Sequence, residues 1–229
     1  MNDIRDYIQL SESANNVKRV FIKPEDFKDI YFNINANEEE SLLRHFIINN
    51  IPFAFKDKPI LYEQIIQYLA DKLEISATEI KLIGSAKTGF SISPSPNYGK
   101  IFGNHSDLDF SIINEALFLR LENEYLKWSG QFKENKIQPT NTTEERYWKD
   151  NLETGKNQIR KGFLDPRFIP NRESFEFTKQ INSSMWIIQK YLNDDYDVKV
   201  KKVSSSIYKN WSSFAARLNR NTSYVMNNI

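Results

Sequence analysis

The sequence predicts an α+β fold: a small mixed β-sheet with helices packed on it, and a mostly helical C-terminal part that completes the sheet. Three observations carry this expectation. The apolar run Ile80-Lys81-Leu82-Ile83 ends in a tight Gly84-Ser85 turn. Across a polar stretch follows a second apolar run, Asp107-Leu108-Asp109-Phe110-Ser111-Ile112-Ile113. Segments with apolar residues at helical spacing flank both runs.

The elements can be justified in chain order. Residues 1–36 are polar with scattered aromatics, and Pro24-Glu25-Asp26-Phe27 reads as a helix start with proline in the first turn. Asn37 and the acids Glu38, Glu39 and Glu40 open a helix to about residue 49, with its apolar stripe at Leu42, Leu43, Phe46 and Ile47. A stronger helix is expected over 59–73 and leads into the first strand. The segment 91–105 carries Pro94, Pro96, Gly99 and Gly103 and reads as a loop, either covering a ligand or bulging into solvent. After the second strand, helices are expected over 115–132, 143–160 and 177–192, with 164–170 irregular because of two prolines. A strand at 197–203 and a closing helix from about residue 207 complete the chain. The polar linker 133–143 is the best candidate boundary, dividing 1–135 from 136–229.

The chain of 229 residues is long enough for one sizeable core or two small domains. Its 31 basic and 30 acidic residues leave a net charge of +1, so no global polycation announces nucleic-acid binding. The last third nevertheless gathers Lys199, Lys201, Lys202, Lys209, Arg217 and Arg220. Absence of cysteine excludes disulfides, thiolate zinc sites and cysteine nucleophiles. The N-terminus lacks a signal-peptide pattern, and the apolar runs are too short to span a bilayer. The expectation is a cytoplasmic protein with no membrane partner.

The chemistry lies in the central strands. Strand side chains alternate faces, so Asp107 and Asp109 project from one face at one edge. Two adjacent carboxylates repel and need a counter-charge, for which a divalent metal is the usual choice. The Gly84-Ser85 turn offers N–H groups and a hydroxyl to phosphate oxygens. Ser85 reads equally as a helix N-cap, and the two roles are compatible. Lys87 is either a charge touching phosphate or a solvated helix lysine. Ser106 bonds either a backbone group at the strand entry or a phosphate. His105 lies two residues before Asp107, and His45 sits in a helix as a packed or surface residue. Tyr208 and Lys209 read as a base-stacking and phosphate pair, or Tyr208 and Trp211, three apart, as one apolar face of a docking helix.

Strand, Gly-Ser turn, short helix and strand with Asp-x-Asp together resemble the polymerase-β-like nucleotidyltransferase superfamily. The string Gly-Ser-Ala-Lys-Thr-Gly-Phe-Ser with Ser-Asp-Leu-Asp resembles a bacterial branch associated with phage defence and toxin–antitoxin loci. The resemblance covers residues 79–113. It implies that Gly84 and Ser85 grip a nucleoside triphosphate and that Asp107 and Asp109 bind Mg²⁺. The implied reaction transfers a nucleoside monophosphate to a hydroxyl on RNA, protein or a second nucleotide. A third carboxylate on a later strand usually completes such a site, and the alternatives are Asp197, Glu176, another acid, or none. The alternative is a catalytically degenerate relative that binds a nucleotide or a partner protein without turnover.

Overall fold

The structure, a computed structural model, describes residues 4–229. Two short helices, α1 (Arg5–Ile8) and α2 (Glu12–Asn15), precede α3 (Pro24–Asn33). A 3₁₀ turn runs into α4 (Glu39–Leu43) and a π-helical turn (Arg44–Ile48). The chain continues through α5 (Pro59–Leu73), β1 (Ile80–Ile83), α6 (Ser85–Thr88), β2 (Asp107–Ile113) and α7 (Glu115–Lys133). It ends through α8 (Thr142–Arg160), β3 (Phe163–Leu164), α9 (Glu176–Asp194), β4 (Lys202–Tyr208) and α10 (Trp211–Met226). The fold is α+β, with one four-stranded mixed sheet in the order β1-β2-β4-β3. β2 pairs antiparallel with β1 and parallel with β4, and β3 runs antiparallel to the end of β4.

Local chemistry fixes many of these boundaries. Asn114, Asn141 and Asn210 each accept a hydrogen bond from the backbone N–H three residues on, capping α7, α8 and α10. α5 stops at Glu74, which turns left-handed with φ 56°.

The two faces of the sheet differ. Leu82, Leu108, Phe110, Ile112, Val203, Ile207 and Leu164 join the main core with residues of α5, α7 and α9. The other face changes character along its length. At one end Ile113, Phe163 and Tyr208 pack beneath Phe214 of α10. The Tyr208 ring stacks on Phe163 at 5.7 Å and meets Phe214 edge-on at 5.1 Å. At the other end of the same face lie Asp107 and Asp109.

Several expectations change. The last strand occupies Lys202–Tyr208 rather than 197–203. Asn193 instead binds both N–H and C=O of Val200, and Asp197 is left-handed with φ 52°. Val198 and Val200 are buried as part of a loop, not a strand. The closing helix starts at Trp211, so Tyr208 is the buried last residue of β4 and neither stacks on a base nor lies on a helix. Its hydroxyl accepts from Arg217, whose guanidinium also covers the Phe163 ring at 4.0 Å. β3 lies in a stretch expected to be irregular. The two halves of the chain share one sheet, β1 and β2 from the first and β3 and β4 from the second. Among the described residues, no helix is long and apolar enough to cross a membrane.

Gly155 of α8 packs directly on Tyr125 of α7, and a Cβ there would lie 2.8 Å from Tyr125 Cζ. The Tyr125 hydroxyl donates to the carbonyls of Asn151 and Leu152, which holds the ring in place. Gly155→Ala is therefore expected to destabilise the fold by about 1–3 kcal/mol through overpacking. This holds although alanine is the better helix former by about 1 kcal/mol. Urea unfolding checks it, and an unchanged or higher midpoint would show that Tyr125 gives way freely.

Candidate active site

The site begins with the register of β2. Asp109 stands opposite Ile83 on β1 and Ser204 on β4, and Asp107 opposite Lys202. Paired residues share a face, so these side chains all leave the sheet on the side away from the main core. The chain turns from β1 into α6 at Gly84, whose φ of 73° is left-handed and favours glycine. A Cβ at Gly84 would lie 3.7 Å from Asp109 Oδ2. The Ser204 hydroxyl donates to the other oxygen, Asp109 Oδ1, at 2.5 Å.

A polar pocket of about 450 Å³ opens over these residues, lined by Gly84, Ser85, Ser106, Asp107 and Asp109. Five of the six expected site residues thus meet in one place. His105 and Lys201 line the same pocket. The loop expected over 91–105 is ordered and forms its outer wall. Phe90 and Ile101 bridge its base, Ser91 N–H donates to Lys100, and Tyr98 is tied to the Pro24 carbonyl. Ser106 takes the backbone role, its hydroxyl accepting from Gly103 N–H at 3.2 Å.

Lys87 is not in the pocket. It is neither solvated nor aimed at a phosphate, being 2% exposed with its ammonium donating to the carbonyls of Asn49 and Asn50. Burial, with the charge of Lys81 added, lowers its pKa to about 8. α6 is a single turn, so its third residue points back beneath the N-terminal segment rather than toward the Gly84-Ser85 mouth.

The electrostatics are those of an under-compensated acid pair. Burial raises the pKa of Asp109, the Ser204 hydrogen bond opposes this, and the charge of Asp107 adds to it. Asp107 Oδ1 is buried and has no hydrogen-bond partner among the described residues. A buried, unpartnered carboxylate oxygen beside a second carboxylate is the donor set a hard divalent cation takes, and Mg²⁺ fits the residues present.

Neither candidate third acid reaches the site. Glu176 opens α9, and Asp197 lies in the bend before β4. The β4 position beside Asp109 holds Ser204 instead. The acid that approaches is Asp165. Phe163 pairs with Tyr208, and Asp165, two residues on with extended backbone, continues on the Asp109 face. Its charge contributes to raising Asp109. Arg167 grips both Asp165 oxygens and brings a cation toward Asp107 and Asp109. Among the described residues no three of His, Asp and Glu converge as a metal-holding group. The one signal for Asp165 was an acid directly after the apolar pair Phe163-Leu164, a strand too short for its alternation to be read.

No family model, no curated protein and no solved structure matches this chain. The site is therefore read from its own geometry.

Two outcomes test it. Lys87→Met removes the buried donor that holds the Asn49 and Asn50 carbonyls and is expected to cost about 1–3 kcal/mol in urea unfolding. Any binding of Mg²⁺–triphosphate should be unchanged, and a selective loss of such binding would return Lys87 to the site. The raised pKa of Asp109 means that the folded chain holds this proton more tightly than the unfolded chain. Asp109 therefore favours folding at low pH and opposes it once pH rises through its folded pKa. In Mg²⁺-free buffer, Asp109→Asn should raise the thermal midpoint at about pH 8 and lose that advantage near pH 4. An unchanged midpoint at the higher pH would contradict the assigned burial of this carboxylate.

Proposed function

We propose that this chain binds a Mg²⁺-loaded nucleoside triphosphate in the Gly84–Asp109 pocket and transfers the nucleoside monophosphate to a hydroxyl acceptor. The observation that carries this is the unpartnered, buried Asp107 Oδ1 beside Asp109, directly below the left-handed Gly84 turn.

Asp107 would offer Oδ1 to the cation. Asp109 would offer Oδ2, because Ser204 occupies Oδ1. Magnesium bound there would neutralise triphosphate charge and make the α-phosphorus more electrophilic. The Ser85 hydroxyl has no protein partner among the described residues and would receive a phosphate oxygen, with Lys100 and Lys201 adding positive charge at the mouth. The missing side chain at Gly84 leaves room for phosphate beside Asp109. In the transfer, the acceptor oxygen forms a bond to the α-phosphorus and the bond to the pyrophosphate oxygen breaks. Pyrophosphate leaves with the bonding electrons, and the acceptor's proton passes to water. Positioning and charge neutralisation would supply most of the rate gain.

A second reading is favoured by Ser204, which stands where a third carboxylate would face Asp109, and by Asp165 being held by Arg167. It is a nucleotide-binding subunit without turnover. Incubation with α-labelled triphosphates, Mg²⁺ and cellular RNA or protein separates the two. Transfer by the wild type should fall at least about a hundredfold in Asp107→Ala with Asp109→Ala. Label transfer that survives this double substitution would remove the site assignment. A triphosphate-induced rise in thermal midpoint without transfer would select the binding subunit.

A further inference from the structure

A second cavity is larger than the acid pocket. It is a groove of about 930 Å³ between α8, α9 and the turn Pro166–Phe168, about twice the volume of the acid pocket at about 450 Å³. It exists because β3 pairs only with Ile207 and Tyr208, so no strand covers the edge of β4 from Lys202 to Ser206. We propose that this groove binds single-stranded nucleic acid and leads it to the Asp107–Asp109 pocket. The second half of this statement rests on the nucleotide reading of that pocket.

Four features of the groove match the chemistry of an unpaired strand. Tyr147 of α8 and Trp186 of α9 line the groove and are 55% and 61% exposed. Exposed aromatic faces are platforms on which bases stack. The side-chain amides of Asn171 and Asn182 line the groove and make no hydrogen bond among the described residues, leaving donor and acceptor pairs for base edges. Ser205, on the floor and 5% exposed, carries a buried hydroxyl without a partner. Lys202 and Nη1 of Arg167, the guanidinium nitrogen not bonded to Asp165, supply positive charge for phosphates.

Size and position add to this. The volume is near the top of the roughly 300–1,000 Å³ range that holds a single small ligand, so the groove admits more than one nucleoside. Ser204 lines the groove and its hydroxyl bonds Asp109, which lines the acid pocket, so one hydrogen bond joins the linings of the two cavities. A strand seated on Trp186 and Tyr147 would thus end beside the acids. The near-zero net charge does not oppose this reading, because stacking and base-edge contacts act without a polycationic surface.

Fluorescence anisotropy of labelled strands of about 12 nucleotides tests the proposal. Single-stranded RNA, single-stranded DNA and a blunt duplex would be titrated onto the full chain, wild type and Tyr147→Ala with Trp186→Ala. Both rings are exposed, so the variant should keep the wild-type thermal midpoint. The expected result is tighter binding of one or both single strands than of duplex, weakened about tenfold or more in the variant. The RNA and DNA arms identify which strand is preferred. Equal affinity of variant and wild type would overturn the proposal, as would a wild type that prefers duplex or binds none of the three. The Mg²⁺–triphosphate thermal shift, measured in parallel, should be the same in both proteins. Its absence from the wild type would refute the nucleotide reading, while strand binding is decided by its own titration.

Discussion

Seven residues of parallel pairing between β2 and β4 are the constraint on which the rest of this molecule depends. The pairing brings Val203 and Ile207 beside Leu108 and Ile112, on the face that α5, α7 and α9 cover. With the same register it turns Asp107, Asp109 and Ser204 to the opposite face. A shift of one residue would put either the carboxylates of β2 in the core or Val203 of β4 in the pocket. Packing and chemistry are thus set by one choice of register, and the apolar face specifies it strongly because almost nothing on that face tolerates water.

The opposite face is divided rather than uniform. Phe214, Phe163 and Tyr208 close one end, while the Gly84 turn and the 91–100 loop leave the other accessible. The acid pair therefore sits at the boundary between core and solvent, where its repulsion is poorly screened. Ser204 supplies one hydrogen bond and Arg167 a more distant cation, and one oxygen of Asp107 still lacks a partner. Lys87 shows the opposite solution a few residues away: a buried charge that has found two carbonyl acceptors and serves the fold.

What was legible in the sequence follows from how local each signal is. The strands Ile80–Ile83 and Asp107–Ile113 and the helix Pro59–Leu73 have the bounds the pattern indicates, because apolar spacing and the flanking Gly84 and Pro59 mark them within a few residues. The acid pair was visible for the same reason. β3 was not, because two residues carry no periodicity. Asp165 was hidden with it, since only the sheet brings that residue toward Asp109. The strand expected at 197–203 begins too early, as Asn193 competes for the backbone there. The groove was beyond reach altogether: its walls come from α8, the turn after β3, α9 and β4, and none of these segments is unusual alone.

The contact between Ser204 and Asp109 joins positions 95 apart in the chain. Closing so large a loop costs entropy that grows only slowly with length, but it must be met before the contact forms. Everything between the two residues, including α7, α8 and α9, has to be laid down for them to meet. The pocket is therefore long-range in origin although its recognisable residues are local. A polypeptide ending before residue 204 would carry the whole 84–109 motif and still lack the hydroxyl that orients its second acid.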